Sequence, residues 1–464
     1  MSDLKALSKP ARPIRVVFLI FYFEAWDSLS QVYQLMLSDP RFDPIVATIP
    51  RKLTGDIGYG GEKRVHKFFK RKGIDHVRLA DADSWASLEK LKALEPDYVF
   101  LNYPWQRNYQ PAFRPDSLVT FTRILYTPYF LAPLVNEQIA ITSQTAPANN
   151  ENETEVAAHL YTQRVHQLAS LVFVQDADTQ RAFEATERGA SRVWFTGSPK
   201  LDSLRQTYLE AREKVAAKAA ARAERSVQTA RRYDLKVLWA PHHSYSPAWL
   251  NFGMFVQSYE QMLDVAKRHP RVQFVLRPHP FLFGTLIDRD VIAANALADW
   301  QEAWKALPNT KINAKASFAK QFANTNILLT DGISFLAEYP LITGEPAFFL
   351  ENPDHWRFNH LGTTAAAANH TVHSIAEFES QLADRLRLLA QLQDDVPALA
   401  DILNSVAESL QELRKAIDPN PGTASHIILN AIEEDYSNDQ GLVDPSELTE
   451  IAWEDQPGRE PRVD

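Results

Sequence analysis

Short runs of apolar, strand-forming residues alternate with helical stretches along most of the chain, and this alternation restricts the possible folds. The first run, residues 15–21, is almost continuously apolar, which is typical of a strand buried on both faces of a parallel sheet. Further strands are predicted at residues 44–49, 75–79, 98–101, 124–127, 171–174 and 193–196, with helices between them that include 154–168 and 176–188. Strands that alternate with helices predict a doubly wound α/β sheet.

The pattern restarts after a long alanine-rich helix predicted at residues 201–232. A second set of strands is predicted at residues 237–240, 274–277, 311–313, 327–330 and 347–350, with helices between them at about 254–268, 287–299, 316–323 and 333–342. Further helices are predicted near 373–393, 397–416 and 424–434. We therefore predict an α/β fold of two Rossmann-like domains that face a cleft (GT-B) with C-terminal helices. The predicted boundaries are 1–205 for an acceptor-side domain, 206–432 for a donor-nucleotide domain, and 433–464 for an acidic disordered tail.

Charge is distributed unevenly and argues against nucleic acid as a partner. The chain of 464 residues has a net charge of −9, and residues 433–464 contain 11 acidic and 2 basic residues. The remaining 432 residues therefore carry 47 charges of each sign. General nucleic-acid binding requires a basic surface, so no nucleic-acid partner is expected.

Several classes of site are excluded by residues and motifs that the sequence lacks. There is no cysteine, which removes disulfides, thiol nucleophiles and cysteine-ligated metals. The sequence contains no phosphate-binding Gly-x-x-x-x-Gly-Lys-Ser/Thr motif, no Gly-x-Gly-x-x-Gly after the first strand and no His-Glu-x-x-His. We expect no cofactor and no metal.

The N-terminus has no signal-peptide core, and a cytoplasmic location is expected. A basic stretch at residues 63–72 surrounds Phe68 and Phe69. A basic amphipathic helix can bind an anionic membrane surface, so peripheral contact with the inner membrane face is one interpretation. A solvated helix with two core phenylalanines is the other.

Histidine and arginine side chains follow two predicted strands of the second half. His242, His243 and Ser244 come directly after one strand, and Arg277 and His279 lie between prolines at the end of the next. Ligands of open α/β sheets bind beyond the carboxyl ends of the strands. Histidine can bind phosphate oxygens or transfer a proton, and arginine offers a forked donor for phosphate. These residues predict a site for the donor diphosphate, with His279 as a catalytic candidate.

A third strand of that half leads into a small turn and a helix. Thr330, Asp331 and Ser334 occupy this turn, where free backbone N–H groups and the helix dipole favour a phosphate. Asp331 or Ser334 is equally able to cap the helix. Glu338 lies one turn further along, where it is expected to face the cleft and bind ribose hydroxyls; a glutamate on the helix surface is the alternative.

The first half offers polar and aromatic residues at its strand ends. Glu24 and Asp27 follow the first strand, and residues 102–107 and 126–129 follow two others. Such residues suit an acceptor pocket for a polyol or sugar. A carboxylate there can act as general base.

The stretch at residues 329–352 resembles the CDP-glycerol glycerophosphotransferase family, the teichoic-acid polymerase type. That family has Thr-Asp-Tyr-Ser-Ser after a strand, then a helix with an acidic residue. Asp331 and Ser334 match this pattern, Glu338 stands where the family has Asp, and Gly332 replaces its Tyr.

Three further motifs of that family occur in the same order. They are the Arg-Pro-His-Pro of residues 277–280, the Ala-Pro of residues 240–241, and the Gly-Ser-Pro-Lys-Leu-Asp of residues 197–202. The family also has an N-terminal Trp-His-Gly whose His is its proposed base. Here the corresponding strand end reads Leu-Tyr-Thr-Pro-Tyr at residues 125–129.

The resemblance implies transfer of glycerol phosphate, or a related polyol or sugar phosphate, from a CDP-activated donor to a glycan or lipid-linked glycan. The product would be a bacterial surface polysaccharide or teichoic-acid-like polymer. Asp27, Glu24 and Tyr126 remain alternatives for the base. A sugar transferase or epimerase that uses a nucleotide sugar, and a degenerate transferase that serves as a scaffold, are the other open interpretations.

Overall fold

The structure is a computed structural model in which the chain forms two compact units. The residues it describes are 12–52, 58–135, 163–184, 186–225, 233–247, 250–314, 317–391, 406–438 and 441–448. The first unit is drawn from Met1–Ala132, Pro147–Ser203 and Ile417–Val463, and the second from Pro133–Ala146 and Leu204–Ala416. The predicted helix segments 154–162 and 397–405, and the predicted tail from residue 449 onward, lie outside the described residues.

The first unit contains a parallel sheet of seven strands in the order β3-β2-β1-β4-β5-β6-β7. The strands are β1 Ile14–Ile20, β2 Phe42–Thr48, β3 His76–Arg78, β4 Tyr98–Leu101, β5 Arg123–Tyr126, β6 Leu171–Val174 and β7 Val193–Phe195. The helices are α1 Asp27–Ser38, α2 Glu62–Lys72, α3 Ser84–Lys92, α4 Pro115–Leu118, α5 Arg164–Leu168 and α6 Ala177–Glu184. Strands β1, β4 and β6 are buried along almost their whole length, which explains their continuous apolar sequence.

The second unit contains a parallel sheet of six strands in the order β10-β9-β8-β11-β12-β13. Helix α7, Pro199–Arg225, leads into this unit. The strands are β8 Leu235–Ala240, β9 Val272–Leu276, β10 Thr310–Ile312, β11 Ile327–Thr330, β12 Phe348–Leu350 and β13 His370–Val372. The helices are α8 Phe255–Arg268, α9 Leu282–Asp288, α10 Ala294–Ala306, α11 Phe318–Phe322, α12 Ile333–Thr343, α13 His360–Ala367, α14 Ile375–Gln391 and α15 Ala407–Ile417.

The predicted strands are present, and most of their ends shift by one or two residues. Strand β13 was not predicted, because His370–Val372 is short and carries polar residues at two of its three positions. The helix predicted at residues 287–299 is two helices, α9 and α10. Two parallel sheets flanked by helices confirm the predicted α/β fold of GT-B type.

The last described helix, α16 Ala424–Asn438, belongs to the first unit. The predicted boundaries put residues up to 432 in the second domain and began the disordered tail at 433, and both placements differ from the structure. Ile428 and Ile432 pack in the apolar cluster around β1, and Asp435 accepts hydrogen bonds from the Tyr98 hydroxyl at 2.5 Å and from Arg123 at 3.1 Å. The amphipathic pattern of a helix does not say which sheet it covers.

Candidate functional site

Three adjacent strands of the second unit end at one edge of its sheet. Strands β9, β8 and β11 are neighbours, and they end at Leu276, Ala240 and Thr330. Parallel strands place their carboxyl ends at the same edge, so the loops that follow meet there. All eight residues that the sequence predicted for the donor site, and His279, lie at the end of β11, in these loops or in helix α12 that follows β11.

Three histidine rings form a cluster at this edge. The rings of His243 and His279 stack with centroids 3.8 Å apart and an angle of 11° between their planes. The His242 ring lies 4.6 Å from that of His243 and 5.5 Å from that of His279. The structure therefore brings together the two histidine motifs that the sequence separated by more than thirty residues.

The hydrogen bonds of two of these rings determine which nitrogen carries the proton. The backbone N–H of Phe252 donates to the Ser244 hydroxyl oxygen at 2.9 Å, and that hydroxyl lies 2.8 Å from Nδ1 of His242. The Ser244 backbone N–H also points at Nδ1, at 3.3 Å. Nδ1 of His242 is thus an acceptor, which places the proton of the neutral ring on Nε2.

His279 has the same arrangement, because the backbone N–H of Phe281 donates to its Nδ1 at 3.3 Å. Its neutral ring therefore also carries the proton on Nε2. Burial lowers the pKa of His243 to about 3 and that of His279 to about 4, and it lowers the pKa of His242 well below its usual value. The three rings are neutral at pH 7, and two of them are Nε2–H donors.

Asp331 holds both ends of the loop between β8 and α8 in place. Its Oδ1 accepts a hydrogen bond from the backbone N–H of His242 at 2.5 Å, and its Oδ2 accepts one from Met254 at 2.5 Å. The side chain is buried, with 2% of the residue exposed, and burial raises its pKa to about 7. Both oxygens are engaged with the backbone of this loop, and the contact between Asp331 and the donor stays a prediction.

Two predicted donor-binding hydroxyls are also engaged within the loops. Ser244 is fully buried and bridges Phe252 to His242, as described above. The Thr330 hydroxyl donates to the Ala240 carbonyl at 2.9 Å and accepts from the Gly332 N–H at 3.1 Å. These residues shape the edge of the sheet rather than offering hydroxyls to a ligand.

Helix α12 begins beside the histidine cluster. Its N-cap is Gly332, which provides no side-chain cap, and the exposed Ser334 is in its first turn. A Cβ atom added to Gly332 would lie 3.3 Å from the Cβ and Cδ2 of His242. The His242 ring thus occupies space beside the position where the family that the chain resembles has a tyrosine. The first turn of an α-helix presents backbone N–H groups that favour an anion.

Glu338 is buried in helix α12, with 2% of the residue exposed. This burial excludes the alternative of a solvated glutamate on the helix surface. The contact between Glu338 and ribose hydroxyls stays a prediction.

Arg277 is held by a side chain that the sequence pattern did not identify. Its guanidinium donates to the Gln321 amide oxygen at 2.7 Å, and Gln321 donates to the Asn313 carbonyl at 2.8 Å. The guanidinium also lies over the Phe318 ring at 5.9 Å. Burial lowers the pKa of Arg277 to about 10, so it remains a cation at pH 7.

Phe281 and Tyr245 were not predicted from the sequence either. Phe281 is 59% exposed, and its ring lies 5.5 Å from that of His279 and 5.7 Å from that of His243. The Tyr245 hydroxyl accepts the Phe255 N–H at 2.8 Å and so fixes the start of α8. Phe281 could have been identified from the sequence by its position directly after the Arg-Pro-His-Pro motif.

The catalytic candidates of the first unit have different surroundings. Tyr126 is buried in the core, 1% exposed, with its ring 4.6 Å from that of His166. This burial contradicts its prediction as a base, because a core side chain does not reach a substrate. Glu24 forms an ion pair with Arg51 at 2.7 Å. Asp27 is partly exposed at the first position of α1.

The predicted basic stretch is helix α2. Val65 and Phe69 are buried, four residues apart on one face, and Phe68 is partly buried. The basic side chains are exposed; they are Lys63, Arg64, Lys67, Lys70, Arg71 and Lys72. None of the helices that the structure describes has the length and apolarity to cross a membrane.

Comparison with known proteins gives similarity in fold alone. No family model matches the chain, and no curated protein sequence matches it. Similar solved structures include the wall teichoic acid polymerase TagF, with 11% identity and a TM-score of 0.56 over 92% of this chain and 90% of that one. They also include the UDP-GlcNAc 2-epimerase from Neisseria meningitidis, with 14% identity and a TM-score of 0.53 over 90% of this chain and 100% of that one. The chain has the GT-B fold of these enzymes.

Proposed function

We propose that the chain is a transferase that moves glycerol phosphate, or a related polyol or sugar phosphate, from a CDP-activated donor to a glycan acceptor. The main observation behind it is that Nδ1 of His242 and Nδ1 of His279 both accept backbone N–H groups, which leaves Nε2–H as the donor of each neutral ring. The two rings are 5.5 Å apart, and that of His242 lies beside Gly332 at the start of α12. Neutral N–H donors and a helix N-terminus stabilise the charge of a diphosphate without requiring a bound proton. The order of the sequence motifs favours a CDP-activated donor, whereas the fold, which TagF and UDP-GlcNAc 2-epimerase both have, is compatible with either nucleotide.

In this proposal an acceptor hydroxyl attacks the phosphorus of the transferred phosphoryl group. The new bond joins the acceptor oxygen to that phosphorus, and the bond from phosphorus to the oxygen of CMP breaks. His279 and Arg277 donate hydrogen bonds to the negative charge that grows on the departing CMP. The proposed base that takes the acceptor proton is Asp27, which is partly exposed at the first position of α1.

The test is CMP release from CDP-glycerol with bacterial membranes as the source of acceptor. The His279→Ala variant is expected to lower kcat by about 100-fold or more, as loss of one charge-stabilising donor does. The matched control is His373→Ala, since His373 lies in the same unit with 67% of its side chain exposed. UDP-GlcNAc turnover without any acceptor, and no CMP release, would overturn the proposal in favour of an epimerase.

The proposed location is the cytoplasm, with the exposed basic face of α2 in contact with an anionic membrane surface. The six exposed basic side chains of that helix support it, because each lysine or arginine near such a surface contributes about 1 kcal/mol. Sedimentation with anionic and with zwitterionic vesicles tests this contact. Equal sedimentation with both kinds of vesicle contradicts it.

A further inference from the structure

Three tyrosines from separate parts of the sequence meet at the carboxyl edge of the first sheet. Tyr22 lies two residues after the end of β1, Tyr103 two residues after β4, and Tyr129 three residues after β5. These strands are neighbours in the order β1-β4-β5. The rings of Tyr103 and Tyr129 are stacked with centroids 5.0 Å apart, and the Tyr22 ring lies 5.2 and 5.8 Å from the other two. We call these three residues the tyrosine cluster.

Buried side chains hold the tyrosine cluster in place, and the cluster itself is partly exposed. The buried Phe21 ring packs edge-on against Tyr103 at 5.1 Å, and the buried Tyr109 donates its hydroxyl proton to the Tyr103 carbonyl at 3.0 Å. All three tyrosines of the cluster are partly exposed, whereas Phe21 and Tyr109 are 2% and 1% exposed. Side chains fixed in this way lose little conformational entropy when a ligand binds.

Polar groups stand beside the cluster. Glu24 pairs with Arg51 at 2.7 Å, and 40% of the Glu24 side chain is exposed. Glu24 is two residues after Tyr22, and its partner Arg51 also donates to the Phe21 carbonyl at 3.5 Å. The ion pair is therefore next to the segment that carries Tyr22 and supports Tyr103. Burial raises the pKa of Tyr22 and that of Tyr103, so both phenols are neutral at pH 7.

We propose that the tyrosine cluster is the acceptor subsite and that it stacks on the apolar face of a pyranose ring. The inference rests on the proposed function, in which the first unit binds the acceptor. A β-linked pyranose presents a flat face of C–H groups and a rim of hydroxyls, which match aromatic rings beside a carboxylate. An open-chain polyol phosphate has no such face. The acceptor class is thus a glycan of pyranose sugars.

The test is saturation-transfer NMR on the full chain, without nucleotide, with cellotetraose and chitotetraose as probes. Strong transfer to the pyranose ring protons is expected for the wild type. Tyr103→Leu and Tyr129→Leu are expected to weaken binding by about tenfold, as removal of an aromatic stack does. Tyr129→Phe keeps the ring and is expected to bind as the wild type does. Trp85→Leu removes an exposed aromatic ring elsewhere in the unit, 53% exposed, and serves as the control.

The inference would be overturned if saturation were transferred to neither oligosaccharide. It would also be overturned if transfer were equal in the wild type and in both leucine variants. The inference also fails if the Tyr129→Phe variant binds as weakly as the Tyr129→Leu variant. Transfer to CMP that depends on the tyrosine cluster would assign it to a nucleobase instead. The oligosaccharide measurement contains no nucleotide, so a negative result there does not contradict the proposed donor site. Conversely, oligosaccharide binding can still be measured if the CMP-release assay is negative.

Discussion

Replacing Asp331 by alanine tests whether its side chain holds the loop between β8 and α8 in position. The two carboxylate oxygens accept the backbone N–H groups of His242 and Met254, both at 2.5 Å, from a side chain buried in the second unit. A buried donor left without its partner costs about 1–3 kcal/mol. The two N–H groups together therefore predict a loss of about 2–6 kcal/mol in the stability of the loop between β8 and α8.

Hydrogen exchange followed by mass spectrometry measures this loss locally. Peptides that contain His242 and Met254 are expected to exchange at least about tenfold faster in the Asp331→Ala variant, since about 1.4 kcal/mol corresponds to a factor of ten. The control is Asp354→Ala, an exposed aspartate of the same unit, which should change exchange little. Unchanged exchange in the Asp331→Ala variant would refute the positioning role.

Three further predictions concern stability. Because burial lowers the pKa of His279 to about 4, the folded protein binds fewer protons than the unfolded chain below pH 6.5. The free energy of unfolding should therefore decrease as pH falls from about 6.5 to 4, and His279 should account for about 2 kcal/mol of this decrease at pH 5. Thermal melting measures the decrease, and it should be smaller by that amount in the His279→Gln variant. Gly253→Ala would place a Cβ 2.5 Å from the Tyr245 ring and should lower the free energy of unfolding in urea by about 1–3 kcal/mol. The control is Gly284→Ala, which should be neutral or stabilising because nothing lies within 4 Å of its Cβ. Asp435→Ala should cost about 3 kcal/mol and expose α16 to limited proteolysis; cleavage at the wild-type rate would contradict its packing on the first unit.

The fold could be predicted because buried parallel strands leave a direct trace in the sequence. The run of β1 and the run of β6 are apolar at nearly every position, and few other structures require that pattern. Strand β13 leaves no such trace, because His370 and Thr371 interrupt it. The placement of α16 was also out of reach, since its contacts with Tyr98 and Arg123 span more than 300 residues.

The candidate site could be predicted as a set of loops but not residue by residue. Strand ends located the histidines, and the sheet order then brought His243 and His279 into contact. The direction of each side chain depends on the local backbone, so the same reasoning could not tell that Asp331 binds the backbone or that Tyr126 packs in the core. Tyr129, three residues further along, is the partly exposed tyrosine of that loop.

A nucleotide panel tests the central claim, that the carboxyl edge of the second sheet binds the diphosphate of a CDP-activated donor. Thermal unfolding of the wild type and of His279→Ala would be followed with CMP, CDP, CDP-glycerol, UDP, UDP-GlcNAc and GDP. A ligand at about one hundred times its Kd stabilises the folded state by about 2.7 kcal/mol. We expect CDP and CDP-glycerol to stabilise the wild type, and we expect His279→Ala to abolish this stabilisation. Stabilisation by uridine nucleotides alone, or by no nucleotide, would contradict it.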